Sequence, residues 1–170
     1  ARGARAGFIM TLGLKPTFPA TGYGYIRPGE AIPEAGGARR VAAFVEKPDA
    51  ATAGSYIADG FLWNSGNFVF AARTMVGELS AFEPAILEAA TAALEKSARD
   101  LDFIRLDRDA FTQAPKNSID FAVMEKTRKA GLLPVSFGWS DIGGWGAVWE
   151  ALPHDGDGNA TQGDVELLDA

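Results

Sequence analysis

Two short stretches of this sequence place chargeable side chains where they could bind a ligand. Glu46 and Lys47 end an apolar run directly before a proline, and Asp141 lies just ahead of a Gly-Gly pair. A carboxylate beside an ammonium suits a ligand that carries both hydroxyls and a phosphate. A solvated strand end explains the Glu-Lys pair equally well, and a helix N-cap explains Asp141. Because a residue before proline favours extended backbone, we expect Lys47 to be extended.

Composition limits the chemistry available to these residues. The 170 residues include no cysteine and one histidine, so catalysis would rest on carboxylates, lysine, backbone amides or a metal bound through oxygen. With 22 acidic and 16 basic residues the net charge is -6, which disfavours binding to nucleic acid or to an anionic membrane. No apolar stretch is long enough for a membrane span, and we expect a cytoplasmic protein.

The hydrophobic pattern predicts strands that alternate with helices. A hairpin connection is expected over residues 32–39, after a turn at Pro28-Gly29. The predicted strands cover residues 7–14, 22–27, 40–46, 67–71 and 132–137. The predicted helices cover residues 49–58 with Asp49 as N-cap, a segment from Pro84, residues 118–129 with Ser118 as N-cap and Gly131 as stop, and residues 145–151. This order is typical of an α/β fold, a mixed sheet flanked by helices.

Composition also predicts a domain boundary near the C-terminus. Residues 1–153 have the apolar content of one core, whereas residues 154–170 are rich in Asp, Gly and Asn. We expect residues 154–170 to form either a flexible linker or the start of a β-rich element.

Five motifs in succession carry a resemblance to a known family. They are KPTFPATGYGYI, FVEKP, FLWNSGNFVF, SIDFAVMEK and WSDIGGW. The succession resembles the mannose-1-phosphate guanylyltransferases, within the sugar-phosphate nucleotidylyltransferases, over roughly residues 7 to 165. The resemblance implies a Rossmann-like mixed sheet, of which this chain would be the C-terminal part of the catalytic domain, followed by the start of a β-helical element.

The resemblance also implies roles for individual residues. Gly24 would let the backbone approach the sugar, Glu46 would accept hydrogen bonds from its hydroxyls, and Asn64 would contact the sugar. Lys47 would hold the sugar phosphate and act in catalysis, and Asp141 would be catalytic as a magnesium ligand. Gly24 also fits a β-bulge, and Asn64 fits a turn. Asp120 is interpreted as a supporting carboxylate and not as a catalytic one.

The implied activity is transfer of a guanylyl group from GTP to mannose 1-phosphate, with Mg²⁺ as cofactor. No glycine-rich phosphate loop follows a strand in these residues, so we expect the nucleotide-binding half to be missing and the chain to be inactive alone. The expected partners are the two substrates and either the missing half or further copies of the chain. There are two alternatives to this function. The protein would use another hexose 1-phosphate as substrate, or it would be a non-catalytic regulatory paralogue that binds nucleotide sugar.

Overall fold

The computed structural model describes residues 1–168, which form two compact units. The first unit runs from Ala1 to Ser136, and the second begins at Phe137. The domain boundary predicted after Pro153 rests on a change in composition, and it stays a prediction. The last two residues of the predicted segment 154–170 lie outside the described residues.

The chain contains seven strands and six α-helices within residues 1–168. The strands are β1 Ile9–Leu14, β2 Gly24–Ala31, β3 Arg39–Glu46, β4 Leu62–Asn64, β5 Ala98–Asp100, β6 Phe103–Arg105 and β7 Ala130–Val135. The α-helices are α1 Arg2–Arg5, α2 Ala50–Ala58, α3 Ala72–Phe82, α4 Pro84–Glu95, α5 Arg108–Phe111 and α6 Trp145–Ala151. A 3₁₀ turn covers Pro33–Ala35, and a π-helical turn covers Asp120–Met124.

Five strands of the first unit form one mixed sheet that closes on itself in the order β1-β4-β2-β3-β7. Strands β1 and β7 are parallel, and the other neighbours are antiparallel. The closure between β3 and β7 consists of two residue pairs, Arg39 with Leu132 and Arg40 with Gly131. Strands β5 and β6 form a separate hairpin.

The main core of the first unit joins this sheet to helix α3 and the π-helical turn. Strands β1, β2 and β7 each contribute a fully buried side chain, namely Ile9, Ile26 and Leu132. Met75 of α3 and Val123 of the π turn pack in the same cluster. Strand β1 is buried on both faces, which explains why it is apolar at nearly every position.

Several predicted elements are confirmed. Strand β3 follows the predicted hairpin connection, and β2 and β3 pair antiparallel. The carboxylate of Asp49 accepts a hydrogen bond from the backbone N–H of Thr52 at 2.7 Å, as expected of an N-cap. Helix α4 begins at Pro84, and helix α6 has the predicted bounds.

Other predicted elements are wrong. Strand β2 does not turn at Pro28 but continues to Ala31, with a register shift that accommodates the proline. Residues 67–71 form no strand and contribute a single bridge, Val69 to Met10. The strand of this region is β4, which lies a few residues earlier in the chain. Residues 118–129 form only the π turn, and Gly131 lies inside β7. Helix α3 was not predicted.

The second unit contains helix α6 and a turn that follows it. The Asp155 carboxylate accepts hydrogen bonds from the backbone N–H groups of Asp157 and Asn159, at 3.0 and 2.8 Å. These hydrogen bonds to backbone N–H groups, that of Asn159 first, lower the pKa of Asp155. No strand follows Pro153 within residues 154–168.

None of the helices in residues 1–168 has the length and apolar character that a membrane crossing requires.

Candidate functional site

Three of the predicted ligand-binding residues converge at one end of the β2–β3 hairpin. Gly24 is the register partner of Glu46. A Cβ atom placed on Gly24 would lie 2.6 Å from Glu46 Oε2 and 3.3 Å from Asn64 Cβ. A side chain at this position would push the Glu46 carboxylate out of its observed place, so glycine is what allows the close approach.

The side chain of Asn64 is held in one orientation by its own hydrogen bonds. The Thr11 hydroxyl donates to Asn64 Oδ1 at 2.7 Å, and the Gly66 backbone N–H donates to the same oxygen at 3.2 Å. With its oxygen occupied, Asn64 presents its amide hydrogens, one of which reaches Asp120 Oδ1 at 3.5 Å. Asn64 thus lies at the end of a short strand and offers donors to the cluster.

The carboxylate of Glu46 is nearly buried, with 10% of its side chain exposed, whereas the neighbouring Lys47 side chain is 62% exposed. Lys47 Nζ lies 3.4 Å from Glu46 Oε1. Burial, followed by repulsion from Asp120, raises the pKa of Glu46 in spite of the attraction to Lys47. The site therefore combines a desolvated acceptor with a solvent-facing cation.

The backbone of Lys47 is not extended. Its φ angle is +49°, in the left-handed region, so the prediction from the following proline is wrong. The chain must turn here because Asp49, only two residues later, already caps helix α2. The Lys47 N–H donates to the Tyr23 carbonyl at 3.2 Å, which fixes the turn. A lysine in this conformation stores strain, and such strain concentrates at ligand-binding positions.

The π turn brings two further carboxylates to the same place. Glu125 Oε1 accepts a hydrogen bond from the Glu46 backbone N–H at 3.2 Å, and Asp120 contacts Asn64. Burial is the main cause that raises the pKa of Asp120. Sequence reasoning gave Asp120 a supporting position and missed Glu125. The signal for both residues was the SIDFAVMEK motif, which contains them.

Asp141 lies in the second unit, in the segment before helix α6, and its side chain is exposed. The interpretation of Asp141 as the helix N-cap is wrong. The N-cap of α6 is Gly144, and no side chain accepts a capping hydrogen bond from the first turn of this helix. Within residues 1–168 no group of three or more histidine or acidic side chains is arranged to hold a metal ion. The metal-binding role of Asp141 stays a prediction.

In chemical terms the cluster suits a polyhydroxylated ligand that carries one anionic group. Glu46 and Asp120 can accept hydrogen bonds from hydroxyls, Asn64 can donate, and the Gly24 backbone leaves room for close approach. Lys47 is the only cation that contacts the Glu46 carboxylate among the described residues. An anionic group of the ligand would therefore be bound on the Lys47 side.

Comparison with known proteins identifies the family of the chain. The family model described as Nucleotidyl transferase matches residues 1–158. The chain is 49% identical to the Xanthan biosynthesis protein XanB of Xanthomonas campestris pv. campestris (strain B100), over 99% of the chain and 36% of that protein. It is also 49% identical to a mannose-1-phosphate guanylyltransferase of Salmonella montevideo, over 95% of the chain and 35% of that protein. The chain thus spans about a third of the length of these relatives.

Solved structures agree with the sequence comparison. A Thermus thermophilus structure described as mannose-1-phosphate geranyltransferase matches 89% of this chain and 42% of that one, with 38% identity and a TM-score of 0.73. A Helicobacter pylori structure described as mannose-6-phosphate isomerase matches 82% of this chain and 54% of that one, with 31% identity and a TM-score of 0.71. The chain therefore has the mixed α/β fold of these proteins.

Proposed function

Because this chain belongs to the nucleotidyl transferase family, we propose that the protein containing it transfers a guanylyl group from GTP to mannose 1-phosphate. A phosphate oxygen of the sugar attacks the α-phosphorus of GTP, the bond between the α- and β-phosphates breaks, and pyrophosphate leaves. The product is GDP-mannose. The proposal is supported by relatives named mannose-1-phosphate guanylyltransferase at 45 to 49% identity.

One observation in the structure carries the proposal: the nearly buried Glu46 carboxylate lies directly beside the Lys47 ammonium, and Gly24 lies close to both Glu46 and Asn64. Sugar hydroxyls would donate to Glu46, and the sugar phosphate would meet Lys47. Little covalent work falls to the protein in such a reaction, so its residues contribute positioning and charge neutralisation. Asn64 and the strained Lys47 turn would orient these two groups before the substrate binds.

The cofactor in this proposal is Mg²⁺, with Asp141 as one carboxylate ligand. Magnesium sites commonly use one or two carboxylates together with substrate phosphates, so a single carboxylate fits this chemistry. The ion would neutralise charge on the phosphates when bound.

The chain would supply the sugar-phosphate part of a larger Rossmann-like sheet, and other residues would supply the phosphate-binding glycine-rich loop. The relatives extend well beyond the stretch that matches this chain, which is consistent with such residues in a longer protein. In this proposal the protein acts in the cytoplasm, as a homo-oligomer or joined to a separate nucleotide-binding half, and the 170-residue chain alone has no turnover.

The alternatives are a different hexose 1-phosphate and a non-catalytic paralogue that binds nucleotide sugar. One experiment separates them. The natural protein containing this chain is incubated with Mg²⁺, each nucleoside triphosphate in turn, and mannose, glucose or galactose 1-phosphate, and pyrophosphate release is followed.

Fastest turnover with GTP and mannose 1-phosphate is expected. A different preferred pair would assign another hexose phosphate or base. Binding of GDP-mannose without turnover on any pair would favour the regulatory paralogue. In parallel, the purified 170-residue chain should bind mannose 1-phosphate weakly and release no pyrophosphate, and full turnover by it would refute the proposed division.

A further inference from the structure

A second, basic pocket lies in the first unit, apart from the candidate site. Its volume is about 470 Å³, and four cationic side chains line it: Arg40, Arg73, Arg128 and Lys129. The residues that line it include none of the candidate site. Arg40 is the second residue of β3 and Glu46 the last, which places the two regions about 20 Å apart along the strand.

The fold brings these cations together from three separate segments. Arg40 is paired with Gly131 across the β3–β7 closure, and Arg128 and Lys129 directly precede β7. The carbonyl of Lys129 accepts a hydrogen bond from the Ile9 N–H at 2.8 Å, which fixes this segment beside the start of β1. Arg73 comes from the first turn of α3. Arg40 and Arg73 therefore lie on regular elements, and the segment of Arg128 and Lys129 is tied to the sheet by a backbone hydrogen bond.

Their charges are only partly neutralised. Lys129 Nζ contacts the buried Glu78 carboxylate at 2.7 Å, and the Arg40 guanidinium lies 4.8 Å from the centre of the Phe8 ring. Neither Arg73 nor Arg128 has a carboxylate within 4.0 Å among residues 1–168. Two exposed guanidinium groups thus line one concave surface without an acidic partner, in a chain of net charge -6.

We propose that this basic pocket binds a small anion that carries a diphosphate group. Arginine presents a planar set of donors that can pair with two phosphate oxygens at once. Three arginines can also neutralise the several negative charges of a diphosphate, which a single lysine cannot. The pocket volume is within the usual range for small-molecule sites. The N-terminal end of helix α3 carries the positive end of the helix dipole, and neither an acidic residue in the first turn nor a side-chain acceptor at the N-cap, Ala71, offsets it.

The diphosphate group could come from free pyrophosphate or from a nucleoside diphosphate, and the experiment distinguishes them. Pyrophosphate, GDP and guanosine are titrated separately into the 170-residue chain by isothermal calorimetry, at low and at high salt. The variants are Arg73→Gln, Arg128→Gln and the double variant. Arg99→Gln is the matched control, since Arg99 is also exposed and does not line the pocket. Lys47→Ala tests whether the titrated anion binds at the candidate site instead.

Pyrophosphate should bind the wild-type chain, and each pocket variant should weaken that binding on the order of tenfold. The Arg99→Gln control should bind as the wild type does, and added salt should weaken binding in every case. Tighter binding of GDP than of pyrophosphate would identify a nucleotide as the source, and guanosine should not bind.

Circular dichroism of each variant checks that the fold is retained, and exposed arginines contribute little to it. No measurable binding of pyrophosphate or GDP to the folded wild-type chain would overturn the proposal. So would equal weakening by Arg99→Gln, or loss of binding with Lys47→Ala alone. None of these outcomes depends on the proposed guanylyl transfer, because no turnover is measured.

Discussion

The candidate site and the basic pocket of the first unit are built in opposite ways. The candidate site contains the carboxylates of Glu46 and Asp120 in a partly desolvated cluster, with Lys47 as the cation beside Glu46. The basic pocket contains exposed arginines, two of them without an acidic partner among residues 1–168.

The two regions therefore select different chemical groups. Desolvated, like-charged carboxylates repel anions and favour hydroxyl donors, so discrimination at the candidate site depends on hydrogen-bond geometry. Exposed arginines select charge and tolerate variation in the rest of the ligand. Substitutions in one region should therefore leave binding at the other region unchanged.

The largest effect is expected for Lys47, the cation that contacts the Glu46 carboxylate. In the natural protein, Lys47→Ala should lower turnover on the order of a hundredfold, because it removes a charge that stabilises the phosphates during transfer. Pyrophosphate release measures this. Lys116→Ala is the control, an exposed lysine without an ion pair in residues 1–168. Turnover equal to that of the control would reduce Lys47 to a solvated strand-end residue.

The strained backbone of Lys47 gives a second measurement on the same residue. Glycine adopts the observed φ of +49° without steric cost, so Lys47→Gly should be more stable than Lys47→Ala by about 1 kcal/mol. Urea unfolding of the two variants compares them. Both variants should lose turnover equally, since both lack the ammonium. Equal stability would show that the backbone of this turn is not strained.

Substitution of Gly24 should give the next largest effect, which is on the binding of mannose 1-phosphate and involves no change of charge. Gly24→Ala should weaken mannose 1-phosphate binding about tenfold, because the new Cβ displaces Glu46. Pyrophosphate binding at the basic pocket should not change. Gly54→Ala is the control, since Gly54 lies in helix α2 with open space around it. Unchanged binding of the sugar phosphate by Gly24→Ala would separate the glycine from the site.

The sequence predicted strand β3, which carries Glu46, but it missed the short strand β4, which carries Asn64. It failed on the π turn for a physical reason. Residues 122 to 124 are three consecutive buried residues, a pattern that the single apolar face of a regular surface helix does not produce. The positive φ of Lys47 was missed because the cap of α2 overrides the local preference set by the proline.

The residues of the site were predicted by resemblance, and not by spacing. Nothing in the separation of Gly24, Glu46 and Asn64 along the chain indicates that they meet, since contact depends on the register between β2 and β3 and on the hydrogen bonds that hold Asn64. The basic pocket had no motif at all. Its cations come from three segments: the closure of the sheet brings Arg40 beside Arg128 and Lys129, and helix α3 adds Arg73.

An effect of similar size, on metal dependence, is expected at Asp141, and it tests whether the proposed metal chemistry belongs to the second unit. Asp141→Asn in the natural protein should raise the Mg²⁺ concentration needed for half-maximal turnover about tenfold, because an amide brings no negative charge to the ion. A Mg²⁺ titration of pyrophosphate release measures this. Asp157→Asn, in the turn after α6, is the control. Since Gly144 is the N-cap, a wild-type metal response would leave Asp141 without an assigned role.

The smallest effect is the pH dependence of stability at Glu46, which tests whether the Glu46 carboxylate is desolvated in the folded chain. Burial and Asp120 raise the pKa of Glu46 above its ordinary value of 4.5. The folded chain therefore holds the proton of the Glu46 carboxyl group more tightly than the unfolded chain does. The contribution of this group to stability is fully present below pH 4.5 and is lost as pH rises through the folded-state pKa. Glu46→Gln has no charge to lose, and it should melt about 2 °C above the wild type at pH 8. That gap should close as pH falls below the ordinary pKa. Glu88→Gln, on helix α4, is the control and should show no such change between the two pH values. A gap of the same size at low pH would mean that packing, and not charge, distinguishes the two side chains, and the Glu46 carboxylate would then be solvated in the folded chain.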